Sequence, residues 1–282
     1  MEIRRYDNAN DFYKRAERFL TGHEAEHNLL LGICAGLIAH PERQERPPYL
    51  ATVEAEGEIV AATVMTPPRG PVLARVDAPE ALPLLVDDLR RDYPALPSVL
   101  GPADVSGAFA DLWRRATGRP YRKGLAQRIY QLDAVTPAVG VPGALRRATE
   151  ADRALVVAWA VAFAKEALGD DDPRTAERMV DLRLRGGADS GLYVWDDGQP
   201  VSLAGYSGPT PHGIRVGPVY TPPAQRGKGY ASACVAALSR LLLDGGRAYC
   251  FLFTDMGNPT SNHIYQAIGY RPVCDVDEYR FP

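Results

Sequence analysis

The chain has 282 residues, which is long enough to bury two hydrophobic cores, and its 46% hydrophobic and 24% charged residues are ordinary for a globular protein. Its net charge of −3 gives no electrostatic reason to expect a nucleic acid or a membrane as a partner. The longest apolar run, Asn28–Ala39, is too short to span a bilayer, and the first residues contain no apolar signal core, so we expect a cytoplasmic protein.

The first half of the chain predicts a strand, a helix and a hairpin in that order. Ile3–Arg5 precedes an acidic helix start, and Tyr49–Thr66 has the pattern of two strands joined by a tight turn at Glu56-Gly57. Gly107–Gly118 follows with a helical pattern, and Ala116–Leu132 closes this half.

The second half repeats these elements weakly. Leu145–Arg147 precedes another acidic helix start, and Leu192–Tyr206 predicts a second hairpin with its turn at Asp197-Gly198. Ala267–Phe281 parallels the segment that closes the first half. The repeat therefore favours two tandem copies of one α/β unit.

A linker separates the two copies. The segment Asp133–Gly143 contains prolines and glycines and has no hydrophobic periodicity, which is typical of a linker. We predict domains at residues 1–133 and 144–282, joined by a linker at residues 134–143.

The most informative segment lies where an apolar strand meets a glycine turn. Ile214–Tyr220 is apolar and β-rich, a Pro-Pro pair ends it, and the sequence from Tyr230 onward is helical. Backbone N–H groups and the positive end of the helix dipole converge at such a turn, which suits a pyrophosphate. The glycines of Arg226–Gly229 let the backbone approach a ligand, and the two basic side chains add positive charge.

The spacing of the glycines distinguishes this turn from two other phosphate-binding motifs. A P-loop needs four residues between its glycines followed by Lys-Ser/Thr, and a Rossmann fingerprint needs G-x-G-x-x-G near the start of a βαβ repeat. Arg226-x-x-Gly229-x-Ala231 instead resembles the R/Q-x-x-G-x-G/A motif of the GNAT superfamily of acyl-CoA-dependent N-acetyltransferases. A second block, NPTSNHIYQAIGY, is similar to the superfamily pattern N-x-x-[SA]-x-x-x-Y-x-x-x-G-[FY]. The residues in register with it are Asn258, Ser261, Tyr265 and Gly269.

The resemblance is close over Leu145–Pro282 and faint over the first half. It implies an α/β fold (α+β in some schemes) of two tandem GNAT-like domains, each a mixed twisted sheet flanked by helices. In the first half, Pro67–Leu73 stands in place of the glycine turn, with a single glycine flanked by prolines, and no tyrosine matches Tyr265. The first half is therefore expected to be a degenerate copy without an acyl-CoA site. It is expected to wall one side of the acceptor cleft, with stabilisation of the fold alone as the alternative.

The resemblance implies acetyl-CoA as co-substrate and no metal, because a thioester is already activated toward an amine. It places the pantetheine arm along the end of Ile214–Tyr220, where a backbone N–H at a bulge stabilises the oxyanion. The residues expected to bind acetyl-CoA are Val219, Tyr220, Thr221, Gln225, Arg226, Gly227, Lys228, Gly229, Tyr230, Ala231, Asn258, Ser261 and Tyr265. Four widely spaced cysteines without a C-x-x-C pair predict reduced thiols, with no metal site or disulfide framework.

Tyr265 stands where the superfamily keeps a tyrosine near the CoA sulfur, so it is the expected proton donor to the leaving thiolate. A packed helix aromatic is the structural alternative. The general base stays open among Glu166, Asp255, His263, the acidic run Asp170–Asp172 and an ordered water. Glu166 is the tentative catalytic residue, because its helix lines the acceptor side in this superfamily, whereas the acidic run also fits a helix N-cap.

Two other function classes remain open. One is an acyl-CoA-binding regulatory pseudoenzyme, and the other is a transferase with a longer acyl donor or an aminoacyl-tRNA-type donor. The complete glycine turn favours CoA as the donor carrier, and a protein-only interaction module would not need it. The acceptor is expected to be a small-molecule or peptide amine, such as a polyamine, an amino acid, an aminoglycoside-like amine or a peptide N-terminus. The protein is expected to be a monomer or a homodimer.

Overall fold

The computed structural model of the protein describes residues 1–169 and 172–282, which form two compact units. The first unit comprises residues 1–129 and 273–282, and the second comprises residues 130–272. Each half of the chain has the same order of main elements: a strand, two helices, three strands, a helix, a strand, a helix and a last strand. This repeated order confirms the predicted fold class of two tandem α/β domains.

The strands and helices have the following bounds. In the first half they are β1 (Glu2–Arg5), α1 (Ala9–Thr21), α2 (Asn28–Ala39), β2 (Tyr49–Ala55), β3 (Glu58–Met65), β4 (Val72–Leu73), α3 (Ala81–Asp92), β5 (Ser98–Pro102), α4 (Ala103–Thr117) and β6 (Arg122–Leu132). In the second half they are β7 (Ala144–Arg147), α5 (Arg153–Phe163), α6 (Pro173–Arg185), β8 (Gly191–Asp196), β9 (Pro200–Pro209), β10 (Gly213–Tyr220), α7 (Tyr230–Asp244), β11 (Tyr249–Asp255), α8 (Pro259–Ile268) and β12 (Arg271–Arg280). A π-helical turn, Ala164–Leu168, continues α5.

The first unit is a mixed sheet with a pair of helices on each face. Its strand order is β1-β2-β3-β4-β5-β12, in which β4 and β5 are parallel. Helices α1 and α2 pack around Phe12 and Leu31 on one face, and α3 and α4 pack around Leu85 and Trp113 on the other. Two cores arise because successive strand residues point to opposite faces of the sheet.

The second unit repeats this arrangement. Its strand order is β11-β10-β9-β8-β7, in which β10 and β11 are parallel. Helices α7 and α8 cover one face, where Ile214 and Leu252 are buried, and α5 and α6 cover the other face, where Leu203 and Val194 are buried. The strand β10 therefore has an apolar core on one side and the α5–α6 layer on the other.

The grouping of residues differs from the predicted domain boundaries at two places. The last strand belongs to the first unit, because β12 pairs antiparallel with β5, with Val276 opposite Pro102. The predicted linker is attached to the second unit, since Val135 and Val141 pack on its core and Thr136 N–H donates to the carbonyl of Ile268 at 2.7 Å. Pairing and apolar burial thus decide where these segments lie.

The described residues also bear on membrane insertion and cysteine chemistry. No helix among residues 1–169 and 172–282 is long and apolar enough to cross a membrane.

All four cysteines are free thiols, and Cys34, Cys234 and Cys250 are buried. Burial raises the pKa of each of these three thiols to about 12.

Candidate active site

The strands β10 and β11 separate in the middle of the second unit. Their parallel pairs run from Gly213 opposite Tyr249 to Arg215 opposite Phe251, whereas the pairs of β10 with β9 continue as far as Tyr220. The β9 pairing shifts register between Val216 and Val219, which marks a bulge. Beyond Arg215 one edge of β10 is therefore turned toward the opening between the two parallel strands, where its backbone groups can pair with a ligand.

A glycine turn follows β10 and leads directly into α7. A short 3-10 turn, Pro223–Gln225, precedes it, and α7 begins at Tyr230 as predicted. Gly227 and Gly229 have φ of 78° and 82°, which lies in the left-handed region that favours glycine. Within the part of the chain that the structure describes, no side chain caps the first turn of α7, so its N–H groups are available to an anion.

The predicted co-substrate residues of this region follow one another along the chain, and all of them except the buried Tyr220 and Tyr230 are partly or fully exposed. Val219 and Tyr220 end β10, Thr221 follows, and Gln225 ends the 3-10 turn. Lys228 Nζ donates to Gln225 Oε1 at 2.8 Å. The start of the helix is anchored, because the Tyr230 hydroxyl donates to Asp197 Oδ2 at 2.7 Å, and Ala231 is the next residue of α7.

Glu166 lies at the glycine turn and is paired with its arginine. The Arg226 Nη2 atom is 2.7 Å from Glu166 Oε2, and the Tyr220 hydroxyl donates to Glu166 Oε1 at 3.3 Å. Arg226 Nε also donates to the Thr221 carbonyl at 2.9 Å. The π-helical turn that contains Glu166 places the carboxylate beside the glycine turn that follows β10.

Tyr265 is a buried residue of α8 whose ring packs edge-on against Tyr270, with ring centroids 6.0 Å apart. It is 9% exposed and belongs to the hydrophobic cluster against which Val219 packs. Burial raises the pKa of the Tyr265 phenol to about 12. No group in residues 1–169 or 172–282 hydrogen-bonds this hydroxyl, in contrast to Tyr270, whose hydroxyl lies 2.9 Å from Ser239 Oγ. The Tyr265 hydroxyl is thus a protonated group that a ligand can engage.

Asn258 and Ser261 form the start of α8. Asn258 is its N-cap, and its Oδ1 accepts from the Ser261 N–H at 3.0 Å. Asn262 supports the same turn, since its Nδ2 donates to the carbonyls of Asp255 and Asn258. This capping role fixes the orientation of the helix that carries Tyr265.

The other described candidate bases lie on the surface or take part in local hydrogen bonds. Asp255 is exposed and its Oδ1 accepts from the Gly257 N–H at 2.8 Å, and His263 is exposed on α8. Asp172 is the N-cap of α6 and its carboxylate is paired with Arg174. Asp170 and Asp171 lie outside the described residues. The described carboxylates on this list are therefore all engaged in local hydrogen bonds or ion pairs.

The parallel strands of the first unit pair over a short stretch. Val72 of β4 lies opposite Leu100 of β5, and the Leu100 N–H donates to the Pro71 carbonyl at 3.0 Å. A Cβ on Gly70 would overlap the backbone of Ser98, so the segment packs directly against β5. That the first half holds no acyl-CoA stays a prediction.

Two arginines at β10 are not among the residues predicted from the sequence. Arg183 of α6 donates to the Gly217 carbonyl and, at 2.7 Å, to Ser207 Oγ, and Arg215 is part of β10 itself. A signal was present in the sequence. Arg183 follows the buried Val180 at helical spacing, and Arg215 interrupts a strand whose neighbouring residues are apolar.

The strand order and the glycine turn are those of a GNAT-like α/β fold. Residues 156–270 match the acetyltransferase (GNAT) family, whose members transfer acyl groups from acyl-CoA. No curated protein sequence matches this chain significantly. Among the described residues, no group of three His, Cys, Asp or Glu side chains is arranged to hold a metal ion.

Solved structures share the whole fold. A Drosophila protein has a TM-score of 0.71 at 12% identity, covering 99% of this chain and 98% of that one. A GCN5-related N-acetyltransferase from Sphaerobacter thermophilus has a TM-score of 0.61 at 16% identity, with coverage of 99% and 94%. A tandem GNAT protein from the clavulanic acid biosynthesis pathway has a TM-score of 0.55 at 14% identity, with coverage of 99% and 97%. At such identities the likeness shows the fold alone.

Proposed function

We propose that the second unit transfers an acetyl group from acetyl-CoA to a primary amine by direct attack in a ternary complex. The observation that carries this proposal is the separation of β10 from β11 directly before a glycine turn and the uncapped start of α7. A pyrophosphate at this turn would accept hydrogen bonds from the backbone N–H groups of residues 227–231. The pantetheine would form hydrogen bonds with the backbone at the open edge of β10.

The transfer needs little chemistry from side chains. The amine nitrogen forms a bond to the acetyl carbon, the C–S bond breaks, the nitrogen loses one proton, and CoA leaves as a thiol. Holding the two reactants together supplies much of the rate, and a backbone N–H at the β10 bulge stabilises the oxyanion. We assign Tyr265 as the proton donor to the sulfur, because its hydroxyl is protonated and unoccupied among the described residues.

Glu166 is proposed to position Arg226 rather than to act as the base. The two side chains are 48% and 49% exposed, and such a pair contributes about 0–1 kcal/mol. Glu166→Gln should therefore raise the KM for acetyl-CoA by at most roughly 5-fold and leave kcat unchanged. The exposed Glu177 on α6 offers a matched control, Glu177→Gln. Steady-state kinetics would contradict this role if kcat fell by about 100-fold or more, as loss of a general base does.

The pKa of Tyr265 sets the expected pH dependence. The phenol must stay protonated to donate, and since its pKa is raised to about 12, this requirement is met below that value. The acceptor amine must be neutral, so kcat/KM should rise with pH and then level off, with no descending limb below about pH 10. Thiol release measured between about pH 6 and pH 10 tests this, and a descending limb near neutral pH would require a proton donor other than Tyr265.

Acetyl transfer is tested by incubating the full chain with acetyl-CoA and a panel of primary amines, with detection of free CoA thiol. Release that depends on both the protein and an amine supports the proposal. Binding of acetyl-CoA without release favours a regulatory acyl-CoA-binding protein, and release only from a longer acyl-CoA favours a different donor.

A further inference from the structure

One arginine reaches from a helix to the bulge of β10. Arg183 lies in the last turn of α6, on the face that also carries the buried Ala176 and Val180. Its guanidinium donates to the Gly217 carbonyl and, at 2.7 Å, to Ser207 Oγ of β9. Arg183 therefore connects α6 with both strands, close to the point where the parallel pairing of β10 with β11 ends.

The bulge leaves room for this guanidinium. The register of β9 places two β10 residues, Gly217 and Pro218, opposite the single β9 residue Gly205. A Cβ on Gly205 would lie 2.8 Å from Arg183 Nη1, so a larger side chain there would displace the guanidinium. Gly217 has a φ of 146°, in the region that favours glycine. The two glycines thus supply the space and the backbone conformation that this contact requires.

The charge of Arg183 is costly where it lies. Burial lowers the pKa of its guanidinium, and the charge of Arg215 lowers it further. The two groups that it contacts, a carbonyl and a hydroxyl, are neutral. An apolar side chain would fill a core-facing position of α6 at a lower desolvation cost, so stability of the fold alone does not account for this arginine. A charge-assisted hydrogen bond does hold a backbone carbonyl more firmly than a neutral one.

The carbonyl that Arg183 holds lies between the backbone donors of the bulge. Pro218 has no N–H, so these donors are the N–H groups of Gly217 and Val219. The Gly217 carbonyl lies between them along the chain, and fixing it limits the rotation of the peptide groups that carry them. Val219 packs against the hydrophobic cluster that contains the proposed proton donor Tyr265. The orientation of the donors therefore depends on the contact with Arg183.

We infer that Arg183 is a positioning residue for acetyl transfer: by holding the Gly217 carbonyl, it fixes the bulge N–H that stabilises the oxyanion. This inference rests on the proposed acetyl transfer and adds to it a residue of α6. A donor that is already oriented needs no rearrangement while charge develops on the thioester oxygen, and this preorganisation lowers the barrier. Arg183 acts through the backbone, since its guanidinium is bonded to Gly217 and Ser207.

An Arg183→Met variant of the full chain tests the effect on turnover. With the best amine of a panel, kcat should fall on the order of 10- to 100-fold, below the roughly 100- to 1,000-fold loss that follows removal of an oxyanion donor, because the donor is displaced and not removed. The KM for acetyl-CoA should stay within about 3-fold, since the glycine turn is unchanged. Arg183→Lys should recover part of kcat, because an ammonium can still donate to the carbonyl.

A second arginine of the α5–α6 layer provides the matched control. Arg153 of α5 donates from Nε to Asp181 Oδ1 of α6 at 2.8 Å, two residues before Arg183. Arg153→Met removes a guanidinium contact to the same helix without approaching β10, so it should affect thermal stability and leave kcat unchanged. If Arg183→Met behaves like Arg153→Met, with a wild-type kcat in the folded protein, Arg183 only holds the layer together and the inference is wrong.

The thioester carbonyl reports on the donor without any turnover. Acetyl-CoA labelled with ¹³C at this carbonyl is bound to the full chain in the absence of an amine, and isotope-edited infrared spectroscopy gives the carbonyl stretching frequency. A hydrogen bond lowers that frequency, so the wild type should shift it down from the value of free acetyl-CoA. Arg183→Met should lose most of this shift, Arg183→Lys should keep part of it, and Arg153→Met should keep all of it.

The outcomes of this measurement separate the two proposals. Acetyl-CoA that fails to bind the wild type would contradict acetyl transfer itself. Acetyl-CoA that binds with no shift, or with the same shift in the wild type and in Arg183→Met, would overturn the positioning role. If Arg183→Met does not fold, Arg183→Lys decides, because a full wild-type shift together with a wild-type kcat in that variant would equally overturn it.

Discussion

A Gly229→Val variant is expected to lose affinity for acetyl-CoA on the order of 10- to 100-fold, the equivalent of one or two hydrogen bonds to a charged group. Gly229 has a φ of 82°, which a β-branched residue adopts only with strain, and its Cβ would lie 2.9 Å from Val141 Cγ2. Relief of the strained φ, or of the close contact with Val141, moves the N–H groups at the start of α7 away from the pyrophosphate. Calorimetric titration with CoA measures the loss directly.

The control for this variant lies at the other end of the same helix. Gly246 has a φ of 98° and no atom within 4 Å of an added Cβ, so Gly246→Val imposes similar backbone strain without approaching the turn. It should lower the thermal stability and keep the CoA affinity. An unchanged affinity in Gly229→Val, with the fold intact by circular dichroism, would remove the glycine turn from the binding site.

A Tyr265→Phe variant is expected to lower kcat by on the order of 10- to 1,000-fold, the lower part of the usual contribution of a general acid. The ring is 9% exposed and packs on Tyr270, so phenylalanine fills the same space and acetyl-CoA should still bind. The hydroxyl makes no hydrogen bond within the described ranges, and its removal should therefore cost little stability. Thiol release with a saturating amine gives kcat.

The neighbouring tyrosine provides a matched control. The Tyr270 hydroxyl is bonded to Ser239, so Tyr270→Phe should cost about 1 kcal/mol of the free energy of unfolding and leave kcat near the wild-type value. Both substitutions remove one phenol hydroxyl, but Tyr265→Phe should lower kcat and Tyr270→Phe should lower the free energy of unfolding. A wild-type kcat in Tyr265→Phe would point to water as the proton source.

Local sequence patterns predicted the glycine turn well. The apolar strand, the Pro-Pro pair and the helix that begins at Tyr230 all lie within one short segment, and each is encoded by residues that favour the same local geometry. The hairpin turns at Glu56-Gly57 and Asp197-Gly198 were predictable for the same reason, since left-handed φ at these glycines is a local requirement.

Contacts between distant residues were less predictable. The pairing of β12 with β5 depends on segments far apart in sequence, and no local pattern encodes which sheet edge a final strand joins. The contact of Glu166 with Arg226 depends on a π-helical turn, which has no clear sequence signal here. Arg183 and Arg215 were visible only as charges at positions that otherwise face a core, and their meeting required the structure.

The most direct measurement follows the acetyl group itself. Acetyl-CoA with an isotopically labelled acetyl group is incubated with the full chain and a mixture of amines that includes polyamines, amino acids and peptides, and the products are identified by mass spectrometry. We expect one labelled N-acetyl product for each CoA thiol released, with the yield greatly reduced in Gly229→Val at subsaturating acetyl-CoA. Binding of acetyl-CoA in calorimetry with no labelled amine and no thiol release above the protein-free rate would contradict acetyl transfer by this protein.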